Sequence, residues 1–175
     1  MPIFLSRLLR LLVWFIVLTA LVLIGLRWTA ASREVVDMGA LPPQGGQLVR
    51  TSEGEIYVLS RGSRDDPMVL FAHGTAAWSG LWLPTLEAMG DVGFHAVGYD
   101  LPPFGYSAHA TDQDYRRTRQ AERILALVNA LDTRPIVVAH SFGAGPVAEA
   151  GLQEPDAFAG LVLVAGAIGL DGADN

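Results

Sequence analysis

The sequence predicts an α/β architecture: a mostly parallel twisted sheet with helices on both faces, preceded by an N-terminal transmembrane helix. Three observations carry that prediction. After residue 54, short apolar runs ending in glycine or aspartate alternate with amphipathic stretches, and parallel strands need such crossovers, which then cover both faces of the sheet. The run from Leu11 to Leu26 carries no charge. Finally, 175 residues, 51% of them hydrophobic, suffice for one core once part of the apolar content is assigned to a membrane segment.

The elements follow in order. The segment "RLLRLLVWFIVLTALVLIGLRW" runs from Arg7 to Trp28. Its charge-free part rises about 24 Å as a helix, and snorkelling of Arg10 brings Leu8 and Leu9 into the span, close to a hydrocarbon core of roughly 30 Å. It reads as a membrane anchor; the alternative is a cleaved signal peptide with "TAAS" (Thr29 to Ser32) as its cleavage site. Arg7 and Arg10 lie with the amino terminus on one side and Arg27 and Arg33 on the other, which leans toward an inside N-terminus and an extracytoplasmic domain. Residues 29–53, with "GALPPQGGQ", read as a tether feeding a first strand near "QLVRT". The rest, 54–175, is one domain. "EIYVLSRG", "PMVLFAHG", "GFHAVGYD", "PIVVAH" and "GLVLVAG" are its strands. "LWLPTLEAM" is a helix that tolerates Pro84 in its first turn. From Asp112 to Leu131 a second helix places Ala121, Ile124, Leu127, Val128 and Leu131 on one stripe, with Arg116, Arg117, Arg119 and Arg123 among its polar positions. "FGAGPVAEAGL" starts a third.

Composition excludes several functions. A net charge of −6 and no basic patch in the globular part argue against nucleic acid. All basic side chains are arginine, which decides nothing about function. The absence of cysteine removes disulfides, thiolate metal sites and a cysteine nucleophile, and leaves the redox compartment open.

Chemistry in an open α/β sheet sits at the carboxyl ends of its strands, and three stretches fall there. In "AHSFG", Ser141 stands between small residues at 139 and 143, the pattern of a strained strand-to-helix turn that holds a nucleophile above the sheet. A helix beginning after it aims N–H groups at a developing oxyanion; the plainer alternative is that Ser141 caps that helix. In "FAHGTAAWSG", the His73-Gly74 pair followed by Thr75 turns a backbone N–H toward the same space as the N–H of Phe142, giving the two donors an oxyanion needs. The bland reading there is an ordinary glycine turn with His73 satisfied by backbone. "YDLPPFGYS", Tyr99 to Ser107, reads as a Pro/Gly loop without chemistry; the alternative is that it shapes the site entrance.

Histidine-glycine after a strand, then "DLPPFGYS", then "AHSFGAG" resembles the α/β-hydrolase superfamily over roughly Glu55 to Leu170. Alanine replaces the usual glycine at 139, and Pro103 stands where members mostly show glycine. The resemblance implies an eight-stranded sheet, Ser141 as nucleophile, and an oxyanion hole from the Thr75 and Phe142 amides with His73, Gly74 and Gly143 forming the site turn. It implies esterase-like acyl hydrolysis of a small ester-like substrate, not the dehalogenase or epoxide-hydrolase branch, whose nucleophile is aspartate. No cofactor and no metal is expected. The partners are that substrate and a lipid bilayer; no signal fixes an oligomeric state.

The base is missing. The superfamily's partners follow the serine in the order acid, histidine, yet His73, His95, His109 and His140 all precede Ser141. His73 belongs to the turn, His140 alternates away from the face its successor presents, and His95 opens a strand at the wrong end of the sheet. His109 lies on a loop, and Asp171 stands where a minority of the superfamily place the acid. The expectation is therefore an incomplete hydrolase whose last strands and histidine lie outside this sequence; the alternative is a non-catalytic membrane-tethered module with the same fold.

Overall fold

The computed structural model describes residues 2–33 and 45–169, and Asp171 lies outside them. The chain divides into two compact units, Met1–Leu41 and Pro42–Asn175. In the first, α1 (Pro2–Arg33) is a single helix, and its stretch Arg7–Ala30 is long and apolar enough to cross a membrane. The hydroxyls of Thr19 and Thr29 donate back to the Phe15 and Gly25 carbonyls, which satisfies them without water.

The second unit is a six-stranded sheet in the order β1-β2-β4-β3-β5-β6. Its strands are β1 (Gly46–Thr51), β2 (Gly54–Arg61), β3 (Met68–Ala72), β4 (His95–Tyr99), β5 (Ile136–His140) and β6 (Gly160–Val164). Strands β4, β3, β5 and β6 run parallel. By contrast, β1 and β2 form an antiparallel hairpin, and β2 meets β4 antiparallel. Ser52 and Glu53 make the hairpin turn, with Gly54 at φ 117° supplying a backbone conformation that side-chain-bearing residues rarely adopt. The parallel set fits the predicted class, and the hairpin is its antiparallel margin.

Three helices cover the sheet. Helix α2 (Leu83–Asp91), with Pro84 in its first turn, packs Leu86 on one face among Tyr57, Leu59, Val69, Phe71 and Ala96. On the other face α3 (Arg117–Ala130) and α4 (Ala144–Gln153) close over a larger core containing Leu70, Val97, Ile124, Leu127, Val137 and Val147. Chain order explains the faces: β3 to β4 steps one way along the sheet and β4 to β5 steps back past β3, so two right-handed crossovers place their helices on opposite sides.

Two details depart from the sequence reading. Arg123, assigned to the polar face of its helix, is 2% exposed. Its guanidinium donates to the Asp114 carbonyl, the Gln120 amide oxygen and the Asp112 carboxylate and lies over the Tyr115 ring, partners that compensate its removal from water. The helix expected from Asp112 begins at Arg117, and residues 112–116 precede it as a loop. In the loop Tyr99 to Ser107, Asp100 and Ser107 are almost completely buried.

Candidate active site

Strands β3 and β5 are parallel neighbours with Ala72 opposite Ala139, so the residues that follow them emerge side by side on one rim. The reversal of chain direction along the sheet occurs here too, the place where open α/β sheets form a crevice. Just beyond β5, Ser141 has φ 51° and opens a 3-10 turn, Ser141–Gly143, that runs into α4. A left-handed conformation at a non-glycine residue costs on the order of 1–3 kcal/mol and persists where surrounding packing enforces it. That packing is tight. A Cβ on Gly143 would lie 2.4 Å from the His73 carbonyl oxygen, and one on Gly74 would lie 3.1 Å from Ser141 Cβ. Ser141 is half-buried and so reachable from solvent.

The 73–75 bend therefore faces the Ser141 corner across a gap too narrow for a side chain at Gly143 and tight for one at Gly74. Thr75 is exposed, and its N–H meets no acceptor among the described residues. The Phe142 N–H belongs to the first turn of the helical segment after Ser141, where amides lack an internal partner. Phe104 packs edge-on against both His73 and Phe142, an apolar wall at the mouth of the gap. The Ala167 amide donates to the Ser141 carbonyl at 3.1 Å, tying the segment after β6 to the corner.

The four histidines have distinct places. His73 is fully buried: Nε2 accepts from the Leu101 amide at 3.0 Å and Nδ1 lies 2.7 Å from the Gly74 carbonyl. Burial holds its pKa below the ordinary histidine value, against the Gly74 bond and the nearby Asp100 charge. His140 projects to the α2 side against the Trp82 ring, with Nδ1 buried and unpartnered among the described residues. His95 opens β4 at the opposite rim, where it lines a cavity of about 440 Å³ with Ser60, Arg64, Asp66 and Asp132. His109 is exposed. Among the described residues no cluster of three histidine or carboxylate side chains is placed to hold a metal.

Sequence reasoning missed Asp100. Its carboxylate accepts from the Ser79 amide at 2.6 Å and the Tyr106 amide at 2.7 Å, while Ser107 Oγ donates to its carbonyl and accepts from the Tyr57 amide. An aspartate directly after an apolar strand was the available signal, but the partners of its carboxylate are up to 21 residues away in sequence.

A family model described as alpha/beta hydrolase fold matches residues 67–173, more than half of the 175. The chain belongs to this family. Within the alpha/beta hydrolase fold it is similar to an epoxide hydrolase of Caballeronia sordidicola, 28% identical over 63% of this chain and 33% of that protein. It is also similar to the putative carbamate hydrolase RutD of Klebsiella pneumoniae, 31% identical over 57% of this chain and 38% of that protein. Among solved structures, an epoxide hydrolase from an endophytic Streptomyces superimposes with a TM-score of 0.62 at 31% identity, covering 69% of this chain and 37% of its own. The thioesterase domain of the curacin biosynthetic pathway, at 24% identity and a TM-score of 0.63, covers 69% and 46%, a likeness of fold alone. The chain thus matches 33% to 38% of the length of these curated hydrolase relatives.

Proposed function

We propose that this domain is the nucleophile-bearing part of a membrane-anchored serine hydrolase that cleaves a small ester-like substrate through an acyl-enzyme. In this reading Ser141 Oγ attacks the carbonyl, the Thr75 and Phe142 amides hold the oxyanion, and a histidine outside this chain takes the serine proton and returns it to the leaving group. The observation that carries it is the left-handed Ser141 beside Gly74 on one rim of the sheet. Several relatives are epoxide hydrolases, but a serine that opened an epoxide would form an ether, which water does not readily cleave, whereas its acyl ester turns over. Serine at this corner therefore favours acyl transfer. The segment 7–28 tethers the domain to a bilayer, with the domain on the extracytoplasmic side.

Imidazole can stand in for the missing base. With imidazole present, a fluorophosphonate probe is expected to label the full chain in detergent at Ser141, read by peptide mass spectrometry, and Ser141→Ala abolishes the labelling. Equal labelling of the Ala variant removes the serine from its role. A second reading, a non-catalytic tethered module with the same fold, predicts no labelling of Ser141 under the same conditions.

A further inference from the structure

We infer that Asp100 and His73 are the positioning residues of the oxyanion bend, together fastening both ends of the 73–79 segment to the loop that follows β4. This rests on the acyl-hydrolase reading of Ser141. At the near end, Leu101 N–H donates to His73 Nε2; at the far end, Ser79 N–H donates to Asp100 Oδ1. The two anchors are consecutive in the chain, Asp100 and Leu101, so a segment of seven residues is held at both ends by one short piece of backbone. That piece is itself fixed. The Asp100 amide donates to the Tyr57 carbonyl at 3.0 Å, and Asp100 Oδ2 and its carbonyl take the Tyr106 amide and the Ser107 hydroxyl. Asp100, His73 and Ser79 are all 0% exposed, so water offers none of these groups a substitute partner, and a lost bond leaves a buried donor unpaired.

Between the two ends lies Thr75, whose N–H needs a fixed direction to serve an oxyanion. Ala76, next to it, has φ 56°, a conformation that relaxes once either end is released. The His73 tautomer follows from its partners: Nε2 accepts, so Nδ1 carries the proton and donates to the Gly74 carbonyl. Proton uptake would turn Nε2 into a donor facing the Leu101 N–H. The fastening is therefore complete above the ordinary histidine value of 6.5 and is lost as pH falls through the lower folded value. Asp100 faces the imidazole from the β4 side, Phe104 packs against its ring, and His140 sits across Gly74 on the β5 side.

Three measurements on the full chain in detergent micelles test this. Nitrogen NMR of the wild type above pH 7 is expected to show His73 as the Nδ1–H tautomer; the Nε2–H tautomer overturns the proposal. Asp100→Asn leaves one oxygen to accept and sets its NH2 donor against the other of the two backbone donors, Ser79 N–H or Tyr106 N–H, and hydrogen exchange at the bonded amides of Ala77 and Ser79 is expected to accelerate tenfold or more while 121–128 in α3 is unchanged. Unaltered exchange at both amides overturns it. In imidazole, Asp100→Asn is expected to slow the phosphonylation step at Ser141 about tenfold at constant half-saturating probe concentration. An unchanged step also counts against it. Should Asp100→Asn not fold, His73→Gln, which keeps an acceptor for Leu101, is expected to retain slow exchange at Ala77 and Ser79 that His73→Ala loses; equal exchange in the two overturns the proposal. Wild-type protein that never labels at Ser141 defeats the hydrolytic reading, while the tautomer and exchange results still decide the positioning.

Discussion

At the residue scale, Ser141 shows stability yielding to geometry. Its left-handed backbone is unfavourable for serine and unstrained for glycine, so Ser141→Gly removes the strain at the cost of a more flexible unfolded chain. The net gain is expected to be about 0.5–1 kcal/mol, a rise of roughly 2–5 °C in Tm by calorimetry. Ser141→Ala keeps a Cβ and is expected to leave Tm unchanged; a rise in both variants would mean the strain is not at the backbone. The small-residue pattern around Ser141 was legible because its cause is local: the steric needs of one tight corner. Asp100 was not legible, because an acceptor of two amides, one of them 21 residues earlier, looks in sequence like any loop aspartate.

At the scale of elements, α3 shows how period alone misassigns a residue. The apolar stripe at 121, 124, 127 and 128 is buried, and Arg123 lies beside it only because the loop 112–115 folds back to offer a carboxylate, a carbonyl and a ring. Arg123→Ala is expected to destabilise by roughly 2–4 kcal/mol, since it empties a buried volume and unpairs Gln120 and the loop. Arg50→Ala, which removes an exposed pair with Glu55, is expected to change stability by less than about 0.5 kcal/mol. Urea unfolding of both variants checks the contrast. Arg116 and Arg119 hold the Asp114 and Asp112 carboxyls below the ordinary aspartate range. The ties of this loop to α3 are present above pH 3.8 and are lost as acid protonates those carboxylates.

Taken as a whole molecule, the sheet has two unlike edges. The β1 edge carries Arg50 paired to Glu55, a charge that discourages strand addition. The β6 edge carries only Gly160, Leu161, Val162, Leu163 and Val164, the last four 40% to 48% exposed, and Ile136 beside it on β5 is also exposed. Such an edge pairs readily with another strand. Val162→Lys is expected to lower self-association of the chain in detergent, measured by light scattering, while Leu48→Lys on β1 leaves it unchanged; equal effects would show that association runs elsewhere. The same edge is where polypeptide bearing a base histidine would extend the sheet in the proposed enzyme.

Length, composition and hydrophobic period by themselves determined the apolar helix, the α/β class, the strand runs and the serine corner, because each depends on neighbours within one element or turn. Only the tertiary structure decided that β3 and β5 lie side by side, that Gly74 meets Ser141, and that Asp100 fastens the bend between them. Those facts depend on groups brought together by the crossover around β3, and a buried hydrogen bond between distant residues leaves no periodic trace in the chain.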